Sequence, residues 1–295
     1  MTLKNKVIVI TGATSGIGFQ TAMDAASAGA FVIGIGRNPQ RCEDARLIII
    51  NHSPDAHVIY LTANLASQKQ IHSLAEQIQR TLDEHKLKAV DILVNNAGMY
   101  MGKKVFTEDG IETTFAVNHL APFLLTHLLL PLLSQSASGR VITVSSDSHY
   151  RTSFTPEKAK NPSLFIGLFA YKVSKLSNIL FSNEFNRLHA SNTGESVHAF
   201  AVDPGLVNTD IGMKETGGLA SLVWRSRKNM GVSPEVPSKT ILFLADEPGV
   251  TTSTDIYWHL CKPKQPSVNA LNPALAKRLW KESCKLTGLA LPEGY

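Results

Sequence analysis

Cysteine is scarce in this chain: three residues, Cys42, Cys261 and Cys284, are spread far apart through 295 positions. An odd number with no CxxC pair excludes a disulfide-stapled secreted scaffold and fits a reducing interior. No apolar stretch reads as a membrane span. The longest, Leu120 to Leu133, contains Pro122, His127 and Pro131 and reads as a buried interface helix. The first strand, entered straight from Lys4, Asn5 and Lys6, is too short for the apolar core of a signal peptide. A soluble cytoplasmic protein without a transmembrane segment is the expectation. Charge of one sign is also lacking. The net charge of +5 is dispersed, and no basic stripe carries interleaved aromatics, so no nucleic acid is expected as a partner. The local run Trp224 to Lys228 reads as a solvated helix face, with weak membrane association through an amphipathic lid as the alternative. His119 and His127 share one apolar helix without a third ligand at useful spacing, so no metal is expected. Repeats, low-complexity tracts and linkers are missing too, which leaves one domain over residues 1–295.

What is present is an ordinary core-forming composition, 43% hydrophobic and 18% charged, in a regular alternation. Strands are expected at Val7–Ile10, Phe31–Ile35, Val58–Leu61, Asp91–Val94, Arg140–Ser146 and His198–Asp203. Between them run helical patterns at Gly16–Ala28, Pro39–Ile50, Gln68–His85 and Asp109–Leu133, followed by the helix that carries Tyr171. Short apolar runs separated by helices describe an α/β fold: a Rossmann-type, doubly wound parallel sheet with helices on both faces. Two irregular segments, Asp147–Leu168 and Asp210–Pro234, interrupt the rhythm. The second is expected to be a substrate lid, about residues 210–234, and a C-terminal extension follows over about 260–295. Loops at the carboxyl edge of such a sheet lie over the ligand crevice.

Thr11 to Gly18, TGATSGIG, joins the first strand to the first helix. Gly12 permits a tight turn, while Gly16 and Gly18 let the backbone approach a pyrophosphate at the helix N-terminus. Thr14, Ser15 and Ile17 belong to the same cradle. At the end of the second strand an acid would bond the adenosine ribose hydroxyls; here Gly36 and Arg37 stand instead, with Arg41 one turn on. A cation without an acid favours a phosphorylated ribose, so NADP(H) is expected over NAD(H). YKVSK, Tyr171 to Lys175, puts a phenol and an ammonium on one helical face. A neighbouring cation is expected to lower the phenol's pKa toward neutrality, where it exchanges protons with a substrate.

Taken together, these motifs resemble the short-chain dehydrogenase/reductase family over almost the whole chain. NNAG, with Asn95, Ala97 and Gly98, resembles the family's motif beside the adenine-side ribose. Asn64 and Leu65 in TANLAS fall where the family usually has an aspartate that binds the adenine amino group. DPGLVNT, with Pro204, Gly205, Val207 and Thr209, resembles the segment that wraps the nicotinamide. The resemblance implies a catalytic set of Asn118, Ser146, Tyr171 and Lys175. Tyr171 would be the proton donor and acceptor, and Ser146 would hold the reacting oxygen. Lys175 would bond the nicotinamide ribose, and Asn118 would position a relay water. Within the family, Val117–Leu133, Ser174–Leu188, Lys277–Leu289 and the long loop before Tyr171 resemble the retinol dehydrogenase-like group. That likeness implies a small hydrophobic alcohol or carbonyl as substrate. Steroid or other carbonyl reduction is the alternative within the class, and a non-catalytic nucleotide-binding protein the alternative outside it. The substrate pocket is expected to be apolar, with Phe154, Phe165, Leu168, Phe169, Leu206, Met213, Leu219, Leu222 and Trp224 in or beside the two irregular segments. His149 and Tyr150 are expected either in the pocket or on the surface. The apolar helices Leu120–Leu133 and Ser174–Leu188 resemble those that form family dimers, so a homodimer is expected.

Overall fold

β-Branched residues dominate the apolar runs, and each run forms a strand: β1 (Val7–Thr11), β2 (Phe31–Gly36), β3 (His57–Thr62), β4 (Ile92–Asn95), β5 (Arg140–Val144) and β6 (His198–Val202). The computed structural model describes residues 2–189, 197–207, 231–292 and 295. In it these strands pair in parallel in the order β3-β2-β1-β4-β5-β6. Two further strands extend the sheet: β7 (Tyr257–His259), parallel to β6, and β8 (Lys262–Pro263), antiparallel to β7. Neither belongs to the expected set. Their connection is Leu260–Cys261, both at positive φ (50° and 59°), the backbone of a tight two-residue hairpin. Such loops favour Asn-Gly, and Leu-Cys carries no such signal.

Alternation along the strands divides the interior. Val7 and Val9 face one core with Leu74, Phe123 and Trp280, whereas Ile8 and Ile10 face the other with Ala22, Ile241 and Trp258. One face is covered by α3 (Gln68–Glu84), α5 (Ala121–Leu133), α7 (Gly167–His189) and α9 (Pro273–Thr287). The other is covered by α1 (Gly16–Ser27) and α8 (Glu235–Asp246), with α2 (Pro39–His52) beyond them. The strand order reverses between β1 and β4, and the loops after these two strands open the crevice characteristic of such sheets.

Thr113–Leu133 is helical throughout, with a one-turn α4 (Thr113–Phe115) and a π-turn (Ala116–Leu120) before α5, and a one-turn α6 (Pro156–Ala159) lies in the loop before α7. Among the described residues it is the one helix long and apolar enough to cross a membrane, yet 72% of its apolar window is buried in the fold. Phe123 meets Phe181 of α7 and Trp280 of α9 edge-on. Much of the apolar surface on which the dimer expectation rests is thus covered within the chain by the C-terminal helix. Of the proposed lid, residues 210–230 lie outside the described residues, and Thr209 with them. Val232 returns to bridge Val207, its N–H donating to Leu206 O at 2.7 Å.

Candidate active site

α7 sets Tyr171 and Lys175 one turn apart at the end of β5. Tyr171 is 9% exposed and Lys175 2%. Lys175 Nζ donates to Val144 O at 2.9 Å and stands 5.5 Å from the centroid of the Tyr171 ring. Ser145 Oγ donates to Lys175 O at 2.7 Å, so the strand end is tied to the helix on both sides of the ammonium. Ser146 comes next, half-buried at the head of a short turn. Its Oγ accepts from Ser148 N at 3.1 Å, which leaves the hydroxyl proton to donate.

Burial pushes the Tyr171 phenol up to about 12; the Ser146 hydroxyl pulls it down, and the Asp203 carboxylate pushes it further up. Burial also takes Lys175 down to about 8. The expectation that Lys175 draws the phenol toward neutrality is therefore corrected for this protein by itself. The ammonium bonds the Val144 carbonyl, and desolvation outweighs its attraction for the phenolate.

Asn118 lies in the π-turn, 1% exposed. Its Oδ1 accepts from Met99 N at 2.8 Å, and its Nδ2 donates to Met99 O at 2.9 Å and to Ser174 Oγ at 3.0 Å. The amide is engaged in fastening the loop after β4 to α7, so its side chain acts as a brace. Tyr100, on that loop, meets Tyr171 edge-on at 6.3 Å.

The glycine loop closes the other end. Gly12 and Gly16 have φ of 68° and 57°, the left-handed values that glycine adopts without strain. Ser15 caps α1 without a side-chain bond, so it leaves the first-turn N–H groups for another acceptor. An anionic group fits that helix start. Gly18 has a different task from the one expected. A Cβ there would lie 2.3 Å from Asn96 Nδ2 and 2.4 Å from Gly12 O, so its bareness lets α1 close on the loop. Asn96 is the residue that sequence reasoning overlooked. Its Nδ2 donates to Thr11 O at 2.9 Å, and its N–H and that of Ala97 both donate to Thr11 Oγ1 at 3.0 Å. Asn95, expected at the cofactor, points instead into the core, donating to Thr126 Oγ1 of α5 at 3.1 Å, and is 2% exposed. The doubled asparagine hid this division of labour. Tyr60 was also missed. Its hydroxyl donates to Ala13 O at 2.8 Å, and its ring crosses Gly34, where a Cβ would meet it at 2.6 Å. A glycine amid β-branched residues was the available signal.

Arg37 is exposed directly after β2, and Asn38 caps α2 by accepting from Arg41 N. Thr14, Phe19, Arg41, Asp44, Ala45 and Ile48 line a cleft of about 140 Å³ there. A larger cleft of about 570 Å³ lies along α9, between Glu157, Arg278 and Lys285, and takes in none of the expected site residues. Asn64 Oδ1 accepts from Ala66 N at 3.1 Å, and Leu65 packs partly into the core. Gly98 and Pro204 are half-buried at the loop mouths. Gly205 has φ of 71°, and its N–H donates to Asp203 Oδ1 at 3.0 Å.

Of the expected pocket residues, Leu168, Phe169 and Leu206 are more than two-fifths exposed, whereas Phe154 packs against the core. Met213, Leu219, Leu222 and Trp224 lie outside the described residues. His149 is fully buried and structural. It bonds Ser146 O through Nδ1 at 2.8 Å and accepts from Ser267 N at 3.0 Å through Nε2.

The family model described as short chain dehydrogenase matches residues 6–219. Retinol dehydrogenase 12 of Mus musculus is 36% identical over 97% of this chain and 88% of its own length. Retinol dehydrogenase 13 of Homo sapiens is 34% identical over 99% and 87%. Among solved structures, an uncharacterised protein from Mycobacterium paratuberculosis superposes with a TM-score of 0.72 at 27% identity, covering 99% of this chain and 96% of that one.

Proposed function

The chain belongs to the short-chain dehydrogenase family, in its retinol dehydrogenase-like group, and on that premise we propose that it interconverts a hydrophobic alcohol and its aldehyde or ketone with NADP(H) as preferred cofactor. It is an oxidoreductase of alcohol and carbonyl groups. The observation that carries the reading is one buried group at the end of β5: the Tyr171 phenol, the Lys175 ammonium and the half-buried Ser146 hydroxyl. The nicotinamide ring, when bound, supplies or accepts the hydride. Thr14, Ser15, Gly16 and Ile17 would hold its phosphates, and Lys175, Gly205 and Val207 would hold the nicotinamide end.

Tyr171 gives its proton to the carbonyl oxygen in reduction and takes one from the alcohol in oxidation. Ser146 donates to the same oxygen, a bond that strengthens as negative charge gathers there. Lys175 keeps positive charge beside the phenol, while Asn118 holds Met99 and Ser174 in place around it.

Arg37 supports NADP(H). It directly follows β2, where its chain neighbours Gly36 and Asn38 carry no acid, and Arg41 stands with Asp44 in the adjoining cleft. Arg37→Asp is expected to reverse the preference, lowering kcat/KM with NADPH by roughly tenfold or more, as loss of a charge-assisted phosphate bond does. An NADH preference untouched by the substitution overturns this part. Exposed Leu168, Phe169 and Leu206 support an apolar substrate, as do relatives named for retinol. Turnover confined to small polar carbonyls, with none of retinal or long-chain aldehydes, overturns that one.

A further inference from the structure

We propose that Lys264 is a positioning residue for this reaction: its ammonium clamps the loop after β5, which carries Ser146, to the loop after β6, which carries Pro204 and Gly205. The proposal rests on the reading of Tyr171 and Ser146 given above.

Lys264 directly follows β8, and its N–H donates to Tyr257 O at 2.8 Å, which fixes its place beside β7. Its Nζ lies 2.6 Å from Asp147 Oδ1 and 2.7 Å from Asp203 Oδ2. Asp147 is the residue after Ser146, and Asp203 is the residue before Pro204. The two bonds therefore end one residue from each half of the site. The Asp203 side chain is 1% exposed, and its other oxygen accepts from Gly205 N. A carboxylate buried this far needs a partner, and losing the cation would leave its charge uncompensated.

Surrounding contacts reinforce the grip. Tyr257 hydroxyl donates to Asp147 Oδ1 at 3.4 Å, and His259 Nδ1 lies 3.0 Å from Asp203 O and 3.4 Å from Asp203 Oδ2. His149 ties Ser146 O to Ser267 of the same C-terminal segment. Burial alone would lower the Lys264 pKa, but the two carboxylates hold it above its ordinary value, so the clamp stays charged across the working range.

The clamp also bears on charge. The groups that bear on the Tyr171 phenol are Lys175 of α7, Ser146 after β5, Asp203 after β6 and Tyr100 after β4. Asp203 opposes ionisation of the phenol, and Lys264 neutralises Asp203. Without Lys264 the phenol faces a carboxylate that has lost its lysine counter-charge and keeps only the Gly205 and His259 contacts, and more alkali is needed to ionise it.

The test compares Lys264→Met, Lys264→Arg and Asp147→Asn, with Tyr171→Phe as control. All-trans-retinol oxidation by NADP+ is followed from about pH 6 to about pH 10, where the positive ring of the oxidised cofactor would draw the phenol down from about 12 and the rising limb reports the Tyr171–Lys175 pair together. Amide hydrogen exchange is followed over residues 145–150 and 203–207. Lys264→Met is expected to lose roughly tenfold or more in kcat and to move its rising limb up by about one pH unit, while Lys264→Arg recovers most of the rate. Exchange should quicken in both loops and stay unchanged in β1 and β4. Asp147→Asn removes the negative charge from one end of the clamp at a residue whose side chain is 55% exposed, so it folds and shows a smaller loss of the same kind. Wild-type rate, limb and loop exchange in Lys264→Met, beside an inactive Tyr171→Phe, overturn the clamp alone. A fully active Tyr171→Phe, or a wild-type protein without turnover, overturns the functional reading; loop exchange then decides the clamp, unchanged exchange ending it.

Discussion

Lys175 is held in a place that costs the fold stability. In the folded chain burial takes its pKa from 10.5 to about 8, so the folded protein gives up that proton before the unfolded one does. Below pH 8 both states carry the charge, and the folded state bears the full penalty of burying it. Between about 8 and 10.5 the unfolded chain binds more proton, so stability rises with pH across that window. A shift of this size corresponds to roughly 3 kcal/mol, from which the Val144 bond returns about 1 kcal/mol. Lys175→Met is therefore expected to stabilise the protein at pH 7 by about 1–2 kcal/mol, with the gain fading between pH 8 and 10.5 and gone above it. Urea denaturation at the two pH values measures it, and a variant less stable at pH 7 contradicts it. A buried, uncompensated ammonium that weakens the fold belongs to a site kept for chemistry. The spacing of Tyr171 and Lys175 was legible in the sequence. The acidity of each was not, because it depends on burial and on Asp203, which lies distant in the chain.

At the scale of elements, the glycine loop is a joint between β1, β4 and α1. Thr11 and Asn96 stitch the strand ends together, and Gly18 lets the helix close upon them. Gly18→Ala places a methyl against the Gly12 carbonyl, a main-chain atom that cannot swing aside. A loss of about 1–3 kcal/mol in stability is expected, with weakened NADPH binding, because the loop must shift to admit the methyl. Thermal melting and fluorescence titration of NADPH check both. Unchanged melting would show that the close approach is not required. The loop's position was plain from its sequence and its flanking strand and helix. Asn96's role depended on knowing which of two adjacent asparagines faces inward, which the pleat of β4 decides. The hairpin at Leu260–Cys261 was hidden for another reason: its left-handed turn uses residues that seldom adopt that backbone.

For the whole molecule, the layered sheet follows from runs such as VIVI, whose alternate residues enter opposite cores. Six parallel strands and the helices between them were therefore legible. The C-terminal contribution was not, since it is made by tertiary contact: Trp280 covers α5 and α7, and Lys264 reaches both site loops. The architecture converges on one place, the end of β5, where the sheet, α7 and the C-terminal hairpin meet around Tyr171. The most direct test is the rate of hydride transfer from NADPH to all-trans-retinal by the wild-type protein and by Tyr171→Phe, read as loss of NADPH absorbance. Loss of the acid–base group is expected to lower kcat by about 10²–10⁴-fold with little change in NADPH affinity. A Tyr171→Phe protein that transfers hydride at the wild-type rate would contradict the account.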